Sequence, residues 1–137
     1  MDRKIAGYFD EYGFPYLNLK VCNKKKGLSV DAKAIIDTGG AHCLVQKAIA
    51  AQLQLEELRI ANHRHPVFGK MPLQEYIMDL RLGDDSESGG ATIEGIRAGT
   101  LIDPNYPAAV VIGVEVLRHC KLEYNGPDQT FTITIIL

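Results

Sequence analysis

A chain of 137 residues is long enough for one domain with a continuous core and needs no disulfide or metal staple. Hydrophobic residues at 46% and charged residues at 23% exclude a disordered or fibrous chain, and the longest apolar runs, such as Ala108 to Val114, fall well short of the roughly 20 residues that cross a bilayer. Fifteen basic against seventeen acidic residues give a formal charge of -2, so no overall positive field recommends a nucleic-acid partner, and no membrane partner is expected.

Along the chain, Ile5 to Val21 mixes aromatic and β-branched residues with Gly7, Gly13 and Pro15, which is the texture of short strands separated by turns. Tyr16 to Val21 alternates, so one face is expected to be buried. Lys24-Lys25-Lys26, set between Asn23 and Gly27, reads as a solvated hairpin turn rather than a binding patch. Val30 to Ile36 follows as a strand with Ala32, Ala34 and Ile36 on one face, and it runs directly into Asp37-Thr38-Gly39-Gly40.

Gln46 to Leu53 combines helix formers with apolar residues at Ala48, Ile49 and Leu53, which predicts a short amphipathic helix, with an extension to Leu58 open. Val67-Phe68 and Tyr76 to Leu82 flank Gly69, Met71 and Pro72 in the manner of a projecting β-hairpin, with Tyr76, Met78, Leu80 and Leu82 on one side. Gly83 to Gly90 reads as a polar surface loop. Thr92 to Ile102 predicts a strand pair or one bent strand, Asp103 to Pro107 a rigid turn, and Ala108 to Ile112 a buried strand. Val114 to Cys120 allows one or two helical turns, and Lys121 to Tyr124 with Phe131 to Ile136 forms a terminal hairpin across Asn125 to Asp128.

Three cysteines, Cys22, Cys43 and Cys120, cannot all pair within one chain, and no charged-then-apolar leader precedes the folded sequence, so a reducing cytoplasm is the expected compartment. His42-Cys43, His119-Cys120, His63 and His65 offer no pair of short ligand spacings, so no metal is expected, and Cys43 and Cys120 read as small core residues. Gly39-Gly40 and Gly89-Gly90 lack the spacing and the Lys-Ser/Thr ending of a phosphate loop, which sets nucleotide cofactors aside.

The chemistry lies in Ile35-Ile36-Asp37-Thr38-Gly39. An apolar strand delivers a carboxylate to a turn, and a glycine two positions on lets backbone amides point at it where a Cβ would obstruct a ligand. Chance yields Asp-Thr-Gly in about 3% of chains of this size, so the setting decides.

That setting resembles the retropepsin family of aspartic proteases over nearly the whole chain. Ala34-Ile35-Ile36-Asp37-Thr38-Gly39-Gly40-Ala41-His42-Cys43-Leu44-Val45 is similar to the family's apolar pair, Asp-Thr-Gly and downstream apolar pair. Val110-Val111-Ile112-Gly113-Val114-Glu115-Val116-Leu117 is similar to its apolar-apolar-glycine strand and short helix. His63 to Tyr76 lies where the family carries a flap, though Gly69 is its only glycine, and the terminal strands correspond to segments near Ile5 to Tyr8 and Phe131 to Ile136.

The resemblance implies a mainly β, single-domain closed barrel over residues 1–137 with one or two short helices, acting as a homodimer. It implies an aspartic endopeptidase without metal or cofactor, in which Asp37 pairs with Asp37 of a second copy, since no other Asp is followed by Thr-Gly or Ser-Gly. By the same resemblance Thr38 directs its hydroxyl across the two-fold axis, and Gly39 and Gly40 offer backbone to an extended polypeptide substrate. Phe68, Gly69 and Met71 cover that substrate, while Ile112 and Gly113 pack beneath the Asp37 loop. The alternative is a non-catalytic peptide-binding or dimerisation module that keeps the fold.

Gly40, Ala41 and Cys43 stand where the family usually has Ala or Ser, often a further small hydroxyl residue, and Thr. Fewer hydroxyls favour the ionised carboxylate less, so peptidase activity is expected to lean toward mildly acidic pH; a pH–rate profile peaking below about pH 3 would contradict this.

Overall fold

The computed structural model describes residues 3–65, 69–83 and 90–136. In chain order the strands are β1 (Arg3–Phe9), β2 (Pro15–Asn23), β3 (Leu28–Ile36) and β4 (Cys43–Gln46), followed by helix α1 (Lys47–Gln52). Next come β5 (Glu56–His65), β6 (Gly69–Leu82), β7 (Ala91–Leu101) and β8 (Val110–Ile112), then α2 (Val114–Leu117), β9 (Cys120–Asn125) and β10 (Thr130–Ile135).

The alternating patterns of β2 and β6 determine the architecture. Leu19 and Val21 pair with Leu82 and Leu80, all buried, and this antiparallel contact joins β6 back to β2. With the remaining pairings in the order β6-β7-β4-β8-β3-β2, six strands close into a barrel whose interior holds the apolar face of each strand. The last residues of β3 are buried on both faces: Ala34 and Ile36 point into the main core, while Ile35 joins Tyr16, Ala108 and Val111 in a second, smaller cluster. Two appendages complete the fold. One is β5, which extends β6 into a long hairpin; the other is the run β1-β10-β9 beyond β2.

The lysine run forms a 3₁₀ turn between β2 and β3, ended by Gly27 at φ 67°, which a glycine adopts without penalty. It is tied rather than merely solvated: the Lys24 amide donates to Asp79 Oδ2 at 3.1 Å, and its ammonium pairs with Glu94. Thr92 to Ile102 is one bent strand, not two. Gly95 at φ 68° donates its amide to Asp79 Oδ1 at 2.9 Å, beside the register shift between Met78 and Leu80.

Two expectations need correction. The helix does not reach Leu58: it ends at Gln52, the chain turns through Gln54 at φ 51°, and Glu56 already pairs with Ile77 of β6. Burial of Leu53 and Leu55, at 2% and 6% exposure, with the new ladder outweighs the helix preference of Glu56, Glu57 and Leu58. The hairpin is also longer than its turn residues suggested. Met71 and Pro72 lie within β6, opposite His63 and Asn62, rather than at the tip. Pro72 lacks a donor, and among the described residues none pairs with β6 on its other side before Glu75, which meets Gly99, so the strand tolerates it there. Val67, Phe68 and residues 84–89 lie outside the described residues.

At the far end β1 and β10 pair from Arg3↔Ile135 to Tyr8↔Thr130. Gly7 leaves the space that the Phe131 ring fills, since a Cβ there would lie 1.9 Å from that ring. Phe131 is fully buried, with its ring centroid 5.6 Å from that of Phe9. Truncation of this ring leaves a cavity that rigid strands cannot close, so Phe131→Ala is expected to lower unfolding free energy by about 3–5 kcal/mol in a urea titration.

Candidate active site

Asp37 stands at the mouth of the barrel because β3 ends there. The Asp37 amide donates to Ile112 O at 2.9 Å, which continues the parallel β3–β8 ladder by one bond before the chain turns away. The loop then closes on itself and on the next element. The Gly39 amide donates to Asp37 Oδ1 at 3.0 Å, the Gly40 amide to Asp37 O at 3.2 Å, and the Val114 amide to Gly40 O at 2.7 Å.

Asp37, Thr38 and Gly39 are exposed and Gly40 is half-buried, so the carboxylate is presented to solvent by a loop whose own amides hold it. The glycines serve different ends. A Cβ on Gly113 would lie 2.4 Å from His42 O and 2.6 Å from Gly40 O, so backbone of the Asp37 loop occupies that space. A Cβ on Gly40 would lie 2.8 Å from Asp37 Oδ2, which is a movable carboxylate, whereas one on Gly39 would make only ordinary contact at 3.4 Å with Oδ1. Gly39 is therefore not required by packing within its own chain; what its bare Cα leaves open is the solvent side.

Asp37 and Thr38 open into a cavity of about 430 Å³ walled by Phe14, Pro15, Tyr106, Leu122 and Tyr124, with Ile35 and Ile36 beneath. Burial, then the charge of Asp37, pushes the phenol of Tyr106 above its ordinary value, so near neutral pH it stays protonated and able to donate. Sequence reasoning missed these walls. Tyr106 was legible only as part of the Asp103–Pro107 turn, and Leu122 and Tyr124 only as members of a terminal strand.

Of the sequence-derived site residues, Asp37, Thr38, Gly39, Gly40, Ile112 and Gly113 form one contiguous loop and its support. Gly69 and Met71 lie on the β5–β6 hairpin and are not among the walls of the cavity, and Phe68 lies outside the described residues. Cys43 is fully buried and its thiol is pushed up to about 11, chiefly by burial, so it is a core residue and not a thiolate nucleophile. Cys120 is half-buried and donates to Val116 O. Among the described residues no group of three His, Cys, Asp or Glu side chains is arranged to hold a metal, and no helix is long and apolar enough to cross a membrane.

With this geometry in view, the fold is retropepsin-like: a mainly β, closed six-stranded barrel with two short helices. Among solved structures the chain is similar to the crystal structure of a retropepsin-like aspartic protease from Rickettsia conorii, at a TM-score of 0.67 over 98% of this chain and 92% of that one, with 15% sequence identity. No protein-family model and no curated protein matches the sequence. The likeness is thus one of fold, carried with few identical residues.

The two glycines supply a contrast that tests this description. Gly113→Ala drives a methyl group into backbone and is expected to cost about 2–3 kcal/mol of stability. Gly40→Ala meets only the end of a side chain and is expected to cost under about 1 kcal/mol, with the Asp37 carboxylate turned in a crystal structure of the variant; equal losses in thermal unfolding would contradict the assignment.

Proposed function

We propose that the chain is one half of an aspartic endopeptidase, a single domain over residues 1–137 that hydrolyses peptide bonds as a homodimer. The observation that carries this reading is the exposed Asp37 carboxylate, held by Gly39 N–H at the mouth of a cavity within a retropepsin-like barrel. Hydrolysis by this route takes two carboxyl groups sharing one proton: one accepts a proton from a water as it attacks, the other donates to the scissile carbonyl. Among the described residues that line the cavity Asp37 is the only carboxylate, so in this reading the second comes from another copy.

Two features support the partner. Gly39 leaves its outer side clear without any need of its own chain. Strand β9 ends the sheet, and its Leu122 and Tyr124 wall the Asp37 cavity. Antiparallel addition of a second β9, centred on Leu122, would set Lys121 opposite Glu123 of the other copy, so the edge is self-complementary in charge. The apolar and aromatic walls favour an extended polypeptide with large apolar side chains near the cut. In this reading Thr38 bonds across the axis, and Gly69 and Met71 close over the substrate from the hairpin. The reaction uses neither metal nor cofactor, and the unpaired cysteines fit a reducing cytoplasm.

Cleavage of a peptide library is expected to fall by a factor on the order of 10³ in Asp37→Asn. Specific activity is expected to drop on dilution, over the same concentration range in which sedimentation is expected to register a change from dimer to monomer. Cleavage unchanged by the substitution would remove Asp37 from the mechanism. A dimer that binds peptides in both forms and cleaves none would establish the alternative, a non-catalytic binding or dimerisation module.

A further inference from the structure

Behind the Asp37 loop lies a continuous set of charged side chains drawn from five parts of the fold. Glu75 of β6 is only 2% exposed, yet it carries a carboxylate. Its Oε1 accepts from Arg59 Nε of β5 at 2.8 Å, and its Oε2 lies 2.9 Å from His63 Nε2 of the same strand and 3.9 Å from Arg97 Nε of β7. The other end of the Arg97 guanidinium donates to Glu115 Oε1 of α2 at 2.8 Å. That oxygen also lies 2.9 Å from His42 Nδ1, and His42 presents its ring edge-on to His63 with centroids 4.8 Å apart.

The set therefore begins on the hairpin, at Arg59, His63 and Glu75, and ends at His42, in the segment that links Asp37 to β4. The His42 carbonyl is the atom nearest to where a Cβ on Gly113 would stand, and Gly40 accepts from Val114 one residue before Glu115. Hairpin and Asp37 loop are thus joined through Arg97, which reaches a carboxylate on each side.

Core stability alone does not account for this arrangement. Taking Glu75 out of water costs several kcal/mol that its pairs do little more than offset, and apolar side chains of the same volume would fill the space at no such cost. What Arg97 adds is a hydrogen bond that fixes it on Glu115 and a charge that faces Glu75 at 3.9 Å, so one guanidinium is attracted to both carboxylates and directed by one of them.

We propose, resting on the peptidase reading above, that Glu75, Arg97 and Glu115 are positioning residues: an ion-paired relay that holds the β5–β6 hairpin in one registration over the Asp37 loop. The relay acts on substrate retention through the hairpin and does not touch the reacting atoms. It is complete only while both glutamates are ionised. Burial opposes their ionisation, but hydrogen bonds from Arg59 and His63 with the charge of Arg97 hold Glu75 below the ordinary carboxyl value, and those from His42 and Arg97 do the same for Glu115. A lowered folded-state value means that the contribution is whole above the ordinary carboxyl range and is lost as pH falls through the lowered values.

The relay makes a non-local forecast that can be read without any catalysis. In the full chain Glu115→Gln weakens the link at α2, far in sequence from the hairpin. Amide hydrogen exchange in 56–65 and 70–75 is expected to rise several-fold, together with that in 40–46, and acidification of the wild type below the ordinary carboxyl range is expected to lower the protection of the same segments, measured relative to intrinsic exchange at each pH. A rise confined to 40–46 and 113–118 would overturn the relay whether or not the protein is a peptidase. Should Glu115→Gln not fold, Arg97→Lys, which keeps the charge and loses the fork, is expected to show the same pattern at smaller amplitude, and its absence there would overturn the relay too. Where Asp37-dependent cleavage is present, either variant is expected to raise KM about tenfold with kcat changed less than about twofold; a loss in kcat at unchanged KM would refute the positioning role. Absence of wild-type cleavage would defeat the peptidase reading and leave the exchange result to decide the relay.

Discussion

The position of Asp37 depends on a small patch of backbone where two strands end and a helix begins. The Asp37 amide is bonded to Ile112, the Gly40 carbonyl to Val114, and the space between them is filled by the bare Cα of Gly113. Each bond contributes only about 0.5–1.5 kcal/mol net, but together they leave the loop one arrangement. Close approach of backbone to backbone does what a larger side chain would prevent, so the backbone that carries Asp37 is held in place although its carboxylate stands in solvent.

The remaining structure is organised around that patch in two ways. Toward the barrel interior everything is apolar, and β3 can be buried on both faces just before Asp37 because a second cluster of Tyr16, Ile35, Ala108 and Val111 lies outside the main core. Toward the hairpin the support is electrostatic, through Arg97 between Glu75 and Glu115. Apolar packing fixes where the strand ends, and ion pairs join α2 to the strands of the hairpin and β7. These are separable terms, since the first is insensitive to pH and the second is not.

Much of the fold was legible because a closed barrel imposes a period of two. Tyr76, Met78, Leu80 and Leu82 alternate with Ile77, Asp79 and Arg81, and the burial of β6 follows that alternation residue by residue. The Asp37 loop was legible because its demands on the backbone restrict residue type at Gly113. Where reading failed, a tertiary contact had overridden a local preference. Glu56, Glu57 and Leu58 are competent in a helix, but pairing with Tyr76 and Ile77 draws them into a strand. Met71-Pro72 carries a turn signal, yet it lies in a strand flanked on one side only. Glu75, Arg97 and Glu115 each resemble an ordinary surface charge in the sequence, because nothing local marks them as neighbours. The walls formed by Phe14, Tyr106 and Tyr124 were hidden for the same reason, as they come from three distant segments.

The pairing of β1 with β10 carries a consequence for how the molecule assembles. Strand β1 and its ladder partner, Thr130–Ile135, lie far apart in the sequence, and the Phe131 ring that fills the space above Gly7 comes with the second of them. Bringing such distant segments together costs loop-closure entropy before any contact repays it, so this end of the sheet is a late and slow event in folding. The β9 edge, laid against β10, is finished only then. An open sheet edge is therefore presented only by a chain whose other strands have already closed, which shortens the time during which partly folded strands can pair wrongly.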